Sequence, residues 1–384
     1  MYKLFFVYLL ISLPTFCFGE ADSLPIRQAV HLVSPFLVRI DTIGGHEKTG
    51  EELVNEGAGS GFLLDRQGFV LTSAFHFLHE PTSILLQFSD GTKKVARKVA
   101  TDLNRMLTLL KVEDLSDGFL DTIFATPPEI RTKDSMLIGE LCIAVGVSLS
   151  REEPNIAVGI LSGKNRIWGK ALQTDAAVSP NNYGGLLIDR QGKLLGLLVP
   201  LSMMSNELTA GVEMYDAGVG MAIPFEDIQQ KTVLEQLKNG NDLKLGFTGI
   251  QFKENRIFIG EPVIDTVQPD SPADQAGIKN GDRIVAIDGI LVYSALQVMM
   301  NLQSRYAGET ATFRLLRQGQ EKEISLVLST PMKEKEKKIP KETSKNHNIS
   351  VSTDRLFFCN TSAELFLNLF TVGNYKVGNY KVGN

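Results

Sequence analysis

The sequence has very little cysteine and tryptophan, with three cysteines and one tryptophan among 384 residues. Cys17 lies in an apolar N-terminal segment, Cys142 in a predicted strand and Cys359 in an irregular C-terminal region. Such different neighbourhoods argue against a structural disulfide. We therefore expect stability to come from buried cores, for which a hydrophobic content of 43% is ordinary.

The sequence also lacks an excess of positive charge and a cluster of metal ligands. Its net charge is −5, so it has no basic footprint for nucleic acid, and we predict no nucleic-acid partner. His76 and His79 could share a helical face, but zinc needs three or four ligands and no third candidate is evident. We predict no metal and no cofactor.

Long apolar runs are absent except at the N-terminus. Lys3 precedes the apolar run Leu4–Phe18, which has the basic start and short apolar core of a secretory signal peptide. The run is shorter than the roughly 20 residues needed to span a bilayer. We predict a signal peptide over residues 1–19, with cleavage near Gly19 or Ala21 and export to the periplasm or the extracellular space. The alternative is an uncleaved anchor, which is the one membrane contact we expect.

Glycine is abundant, with 34 residues, and it punctuates short apolar segments over residues 26–224. Strands this short and frequent favour a barrel or sandwich, and no helical pattern of useful length interrupts them. The clearest predicted strands are Gly61–Leu64, Phe69–Thr72, Ser83–Phe88, Leu107–Val112 and Leu141–Val147.

One internal similarity stands out. The segment "GFLLDRQGFVLTS" (Gly61–Ser73) resembles "GLLIDRQGKLLGL" (Gly185–Leu197). Both predict a hairpin whose turn ends in a left-handed glycine. The spacing is compatible with two similar β-barrels in tandem; chance similarity of two common hairpins is the alternative.

The remainder of the chain divides by composition. Residues 225–244 form a predicted helical linker, with helical spacing over Phe225–Leu237, and residues 245–329 form a second domain. Residues 330–384 begin with a charged linker of low hydrophobicity, which we predict to be disordered together with a repetitive tail, "VGNYKVGNYKVGN".

Residues 26–329 resemble the HtrA (Deg) family, in which a trypsin-like serine protease domain precedes a PDZ domain. The resemblance rests on four motifs in the family's order: "GSGFLLDRQGFVLTSA", "DLNRMLTLLKV", "QTDAAVSPNNYGGLLIDRQGKLLG" and "GVGMAIP". It implies a mainly β fold, with a double six-stranded β-barrel over residues 26–224 followed by an α+β PDZ domain.

The family's catalytic residues are not matched. Such proteases use a serine nucleophile, a histidine base and an orienting aspartate. The motifs place Phe75 at the histidine, Met106 at the aspartate and Tyr183 at the serine, while Asn181 replaces an oxyanion-hole glycine. His76 is adjacent, but neighbouring side chains on a strand or tight turn point to different sides. We predict no peptidase activity; the alternative is a serine-type endopeptidase with weak or relocated activity.

The PDZ-like region is closer to the family's pattern. The stretch "VQPDSPADQAGIKNGDRIVAIDGILV" (Val267–Val292) resembles the centre of that domain, and a helix over Leu296–Leu302, bearing Met299 and Met300, should form one wall of a peptide groove. The segment "GFTGI" resembles the loop that binds a peptide's C-terminal carboxylate through backbone N–H groups. The implied peptide-binding residues are Gly246, Phe247, Thr248, Gly249 and Ile250.

The resemblance therefore implies an exported pseudoprotease that binds peptides or unfolded protein segments, including C-terminal carboxylates, as a chaperone, adaptor or regulator. The former cleft would be apolar and blocked, yet able to hold an extended chain. Two alternatives concern assembly: a scaffold that associates only with itself, as the family's trimers do, or a partner of active homologues.

Overall fold

The computed structural model describes residues 23–44, 58–77, 80–116, 118–121, 123–150, 152–201, 218–253 and 260–330. The predicted signal peptide (1–19), His79 and the segment from residue 331 onward lie outside these ranges. Within them, no helix combines the length and the apolar character needed to cross a bilayer.

Twelve strands close into two six-stranded barrels, which confirms the predicted trypsin-like architecture. The strands of the first barrel are β1 (Leu37–Ile43), β2 (Gly59–Leu63), β3 (Phe69–Ser73), β4 (Ser83–Gln87), β5 (Lys93–Asp102) and β6 (Leu107–Val112). Those of the second are β7 (Leu141–Gly146), β8 (Asn155–Asn165), β9 (Ala171–Thr174), β10 (Leu186–Asp189), β11 (Leu194–Leu198) and β12 (Gly220–Pro224).

The two barrels share one topology, but the two similar hairpins occupy different places in it. Around the first barrel the order is β1-β2-β3-β6-β5-β4, and around the second it is β7-β8-β9-β12-β11-β10. The counterpart of the β2–β3 hairpin is therefore β8–β9, whereas the similar sequence forms β10–β11. The predicted tandem barrels are present, but the two similar hairpin sequences do not occupy equivalent positions in them.

Turn chemistry explains the similarity. In the first hairpin the Asp65 carboxylate accepts the amides of residues two and four positions later, at 3.0 and 3.3 Å, and Asp189 does the same at 2.9 and 2.9 Å. Gly68 and Gly192 end the turns with φ of 81° and 79°. Both hairpins thus need an aspartate to hold the turn and a glycine for its left-handed residue.

A helix that the sequence patterns did not predict precedes the first barrel. Helix α1 (Ser23–Val33) buries Ala29, Val30 and Val33 against a core shared by both barrels. These three residues are too few and too close together to produce a clear helical period in the sequence. The helix is therefore recognised only from its contacts in the folded structure.

The linker contains two short helices where one was predicted. Helices α2 (Phe225–Ile228) and α3 (Lys231–Lys238) are separated at Gln230, whose ψ of 123° is extended. Lys238 at the end of α3 pairs with Asp65 of the first barrel at 2.5 Å. The linker therefore packs on the barrel instead of projecting from it.

The second domain is a small α+β unit with its own core around Ile284, Val298 and Phe313. Its helices are α4 (Pro272–Gln275) and α5 (Ala295–Leu302), close to the prediction. Its strands are β13 (Ile250–Gln251), β14 (Thr266–Val267), β15 (Arg283–Ile287), β16 (Ile290–Leu291), β17 (Thr310–Arg317) and β18 (Gln320–Val327).

Candidate functional site

The cleft between the barrels is where the three aligned positions meet. Strand β3 runs into a 3₁₀ turn, Ala74–Phe77, that carries Phe75. The Ala74 amide donates to the Met106 carbonyl at 2.8 Å, which fixes the start of β6 beside that turn. The Ser60 amide of the first barrel donates at 3.3 Å to the carbonyl of Tyr183, which precedes β10 of the second barrel.

Phe75 and Tyr183 pack against each other as aromatic rings. Their centroids are 5.3 Å apart with an interplanar angle of 73°, an edge-to-face geometry. Tyr183 is only 3% exposed, and burial raises the pKa of its phenol to about 12. Met106 is buried in the core cluster on which Phe75 also packs. Phe75 therefore contacts Tyr183 on one side and packs against the core cluster that contains Met106 on the other.

His76 contacts the backbone of the same loop. Its Nε2–H donates to the Tyr183 carbonyl at 3.1 Å, which is its one hydrogen bond to the described residues. Burial lowers the pKa of the imidazole, although this hydrogen bond opposes the shift. A neutral ring that donates from Nε2 links the two barrels, and it is directed at a carbonyl oxygen, not at a hydroxyl group.

The loop before Tyr183 is folded into a 3₁₀ turn, Pro180–Asn182. The Tyr183 amide donates within this turn to the Pro180 carbonyl at 3.2 Å. The Asn181 carbonyl accepts from the hydroxyls of Ser148, at 2.7 Å, and Ser60, at 3.3 Å. An amide engaged in the turn is not available to an oxyanion in this arrangement.

Sequence reasoning missed both serines. Ser60 lies inside a quoted motif, but it belongs to the first barrel while Asn181 belongs to the second. A contact across 121 positions has no local signal.

The two glycines after Tyr183 are required by close packing. Gly184 has φ of 79°, and a Cβ there would lie 2.0 Å from the Ser60 carbonyl oxygen. A Cβ on Gly185 would lie 2.2 Å from the Val145 carbonyl oxygen. The backbone conformation of this loop therefore depends on its two glycines, and these contacts do not involve the side chain of residue 183.

The carboxylate-loop candidates occupy one end of the second domain. The Phe247 amide donates to Ser329 at 2.8 Å, which ties the loop to the chain beyond β18. Thr248 is buried, and its hydroxyl accepts the Ile250 amide at 3.2 Å. Gly249 has φ of 86°, and a Cβ there would lie 2.2 Å from Ser271.

Helix α5 faces the first domain, which the sequence did not indicate. Met300 lines a cavity between α5 and a left-handed turn of the first domain, Arg166–Gly169. The sequence predicted a groove-lining role for this methionine and gave no sign of its place at this cavity. Among the described residues there is also no group of three His, Cys, Asp or Glu side chains arranged to hold a metal ion.

Comparison with known families agrees with this architecture. Residues 59–197 match the trypsin-like peptidase domain, and residues 246–328 match the PDZ domain. In its domain content and order, the chain is similar to the HtrA/Deg proteins.

Relatives of the chain include a probable periplasmic DegP-like serine endoprotease of Rickettsia conorii, 24% identical over 371 residues. That alignment covers 90% of the chain and 69% of the relative. A similar protein of Ectopseudomonas mendocina is 26% identical, over 75% of the chain and 58% of the relative. The serine endoprotease DegS of Escherichia coli K12 is 27% identical, over 75% and 81%.

Solved structures show the same fold. A serine endoprotease from Yersinia pestis is 25% identical, with a TM-score of 0.55 over 79% of this chain and 97% of that one. The HtrA-type protease AlgW, in a complex with a tripeptide, is 24% identical, with a TM-score of 0.58 over 79% and 96%.

Replacing Gly184 with alanine should destabilise the first domain strongly. The positive φ and the contact with Ser60 together predict a loss of about 2–5 kcal/mol in the free energy of unfolding. Gly91→Ala is the matched control, because Gly91 has φ of 83° but open space around its missing Cβ. It should cost only about 1–2 kcal/mol. Urea unfolding followed by circular dichroism measures both, and equal losses would contradict the packing argument.

Proposed function

We propose that this HtrA-like chain is a catalytically inactive member of its family that binds peptides or unfolded protein segments, as a chaperone, adaptor or regulator. The observation that carries the proposal is the edge-to-face contact of Phe75 with Tyr183. In the alignment these residues stand at the histidine and serine positions of the triad, and Met106 stands at the aspartate.

Chemistry supports the same conclusion. A phenol with a pKa of about 12 is neutral near pH 7 and is a weak nucleophile in that form. Phe75 and Met106 carry no group that accepts a proton, and His76 donates to a carbonyl. A site that loses its triad keeps at most about 10³–10⁴-fold acceleration from the oxyanion hole and binding, and the Tyr183 amide is engaged here.

The PDZ domain offers the better-formed place for a peptide. The amides of Thr248 and Gly249 donate to no acceptor among the described residues, as expected of a loop that receives a carboxylate. In that part of the chain β13 pairs only with β14, so its other edge is open to an added strand. We propose Gly246, Phe247, Thr248, Gly249 and Ile250 as this peptide site.

We propose that the chain works outside the cytoplasm. Its N-terminal segment has the pattern of a signal peptide, and several relatives are named as periplasmic. The alternative of a weak or relocated endopeptidase is favoured by those relatives' names, which describe serine endoproteases. Direct assay separates the two functions.

Homogeneous wild-type protein should not cleave unfolded casein and should not react with a fluorophosphonate probe. An active HtrA-type protease run in parallel controls the assay. The single variant Tyr183→Ser should also remain unlabelled, because Phe75 supplies no base. Cleavage by the wild type that disappears in Tyr183→Ala would establish the endopeptidase instead.

Peptides with a free C-terminal carboxylate should bind the full chain more tightly than the same peptides amidated, by about tenfold. Anisotropy of labelled peptides from a C-terminal library measures this. Gly249→Ala should abolish the difference, because its Cβ would collide with Ser271. Gly289→Ala is the control, since Gly289 has φ of 80° and open space. Equal binding of acids and amides would rule out carboxylate capture.

Self-association is a second part of the proposal. Ile156, Val158 and Ile160 lie on one face of β8 and are 41–46% exposed, an apolar stripe of the kind that marks protein contacts. We expect light scattering to give a mass above the monomer, and Val158→Lys to lower it. A wild-type protein that is monomeric would rule out self-association. Active homologues would then be the candidate partners for this surface.

A further inference from the structure

A cavity of about 460 Å³ lies between the two domains. The first domain supplies the left-handed turn Arg166–Gly169 and nearby cations, and the second supplies β16 and the outward face of α5. The cavity contains no residue of the aligned triad positions and none of the carboxylate loop. The side chains that matter for its chemistry are Arg105, Lys133, Trp168, Lys170, Leu291 and Met300.

Three cations border this cavity. Arg105 and Lys170 are only 4% and 7% exposed, which is unusual for these residue types. Lys133 is half-buried and pairs with the Asp227 carboxylate at 2.6 Å.

Arg105 is partly neutralised within the joint between the domains. It lies 3.6 Å from the Asp102 carboxylate and donates to the hydroxyl of Tyr306, which in turn donates to Asp102. Its Nε is buried and has no hydrogen-bond partner among the described residues. The guanidinium is thus held firmly with one donor unused.

Among the described residues, the hydrogen-bond partners of the Lys170 ammonium are neutral. Its ammonium donates to the backbone carbonyl of Asn104 at 3.2 Å and to the Asn104 side-chain oxygen at 2.8 Å. Lys133 is paired with Asp227, and its backbone amide donates to the Glu226 carboxylate at 2.7 Å, while Arg105 lies against Asp102. Lys170 makes no ion pair with the described residues. A buried ammonium without an ion pair is costly unless an anion neutralises it.

Part of the cavity wall is apolar, and polar side chains such as Gln297 and Asn301 line the rest. Trp168 and the preceding Ile167 have φ of 59° and 48°, so the backbone holds the indole at the cavity in a conformation that large side chains rarely adopt. Leu291 and Met300 face it from the second domain. A pocket that combines an apolar wall with a few buried polar groups is the usual form of a small-molecule site.

We propose that this interdomain cavity binds a small organic anion, a monocarboxylate with an aromatic or medium-length aliphatic body. The carboxylate meets Lys170 and Arg105, and the body lies against Trp168 and Met300. A ligand in this position touches both domains and favours their docked arrangement by mass action. The site is independent of the proposed peptide binding.

Octanoate and 3-phenylpropionate are suitable probes for the full-length protein, with 1-octanol and 3-phenylpropanol as neutral controls. Trp168 is the only tryptophan in the sequence, so its emission reports on this cavity alone. We expect a saturable change in emission with each acid, and binding of each alcohol weaker by about tenfold or more.

Lys170→Met should weaken binding of the acids by about tenfold or more while leaving the alcohols unchanged. Lys231→Met, at an exposed lysine, is the matched control. Because Lys170 is buried, Met300→Phe provides a second variant that fills the cavity without removing a charge, and it should weaken acids and alcohols alike. The thermal midpoint of each variant establishes that it is folded.

The pH dependence adds a separate readout. Burial lowers the pKa of Lys170 to about 8, with Asp102 opposing and Arg105 adding to the shift. The groups around it are Arg105, Asp102 and Tyr306, with Lys133 and Asp227 across the cavity. Affinity for the acids should fall as pH rises from 7 to 9, because the neutral amine attracts no carboxylate, and Lys170→Met should lack this fall.

Acids and alcohols that bind equally, a Lys170→Met variant that binds like the wild type, or no binding at millimolar concentration would each overturn the proposal. A peptide-binding failure in the PDZ assay would leave it unaffected.

Discussion

The contact between the rings of Phe75 and Tyr183 is the interaction on which this account depends. One ring comes from each barrel, and backbone hydrogen bonds determine where both rings lie. The Ala74 amide donates to the Met106 carbonyl, and the Ser60 amide and the His76 imidazole donate to the Tyr183 carbonyl. In the proposed function, these are the positions at which an active relative would hold its histidine, aspartate and serine. The scaffold therefore sets positions, and the side chains at those positions decide whether there is chemistry.

An apolar centre is also easier to stabilise than a catalytic one. An edge-to-face aromatic pair contributes about 0.5–1.5 kcal/mol beyond its burial. A triad instead holds polar groups in a geometry that serves the reaction more than the fold, and active sites commonly reduce stability. In the proposed function, Gly184 and Gly185 preserve the close packing of the loop, while the rings of Phe75 and Tyr183 pack against each other in the cleft.

Features set by neighbouring residues could be predicted from the sequence, and features set by distant contacts could not. The Asp65 and Asp189 turns and most strands follow from local patterns. Helix α1 could not be predicted in this way, because its apolar face is short and is identified only by its contacts with the shared core. The Ser60 contact with Asn181 and the joint of Asp102 with Tyr306 connect residues 121 and 204 positions apart, so no spacing rule indicates them.

The most direct test of the central claim is nuclear magnetic resonance on protein with selectively labelled phenylalanine and tyrosine, assigned with Phe75→Leu and Tyr183→Phe variants. The account predicts nuclear Overhauser contacts between the ring protons of Phe75 and Tyr183, since their centroids lie 5.3 Å apart. It also predicts that these contacts persist near neutral pH with the Tyr183 phenol protonated. A Tyr183 ring that shows no contact with Phe75 and is open to solvent would contradict the account.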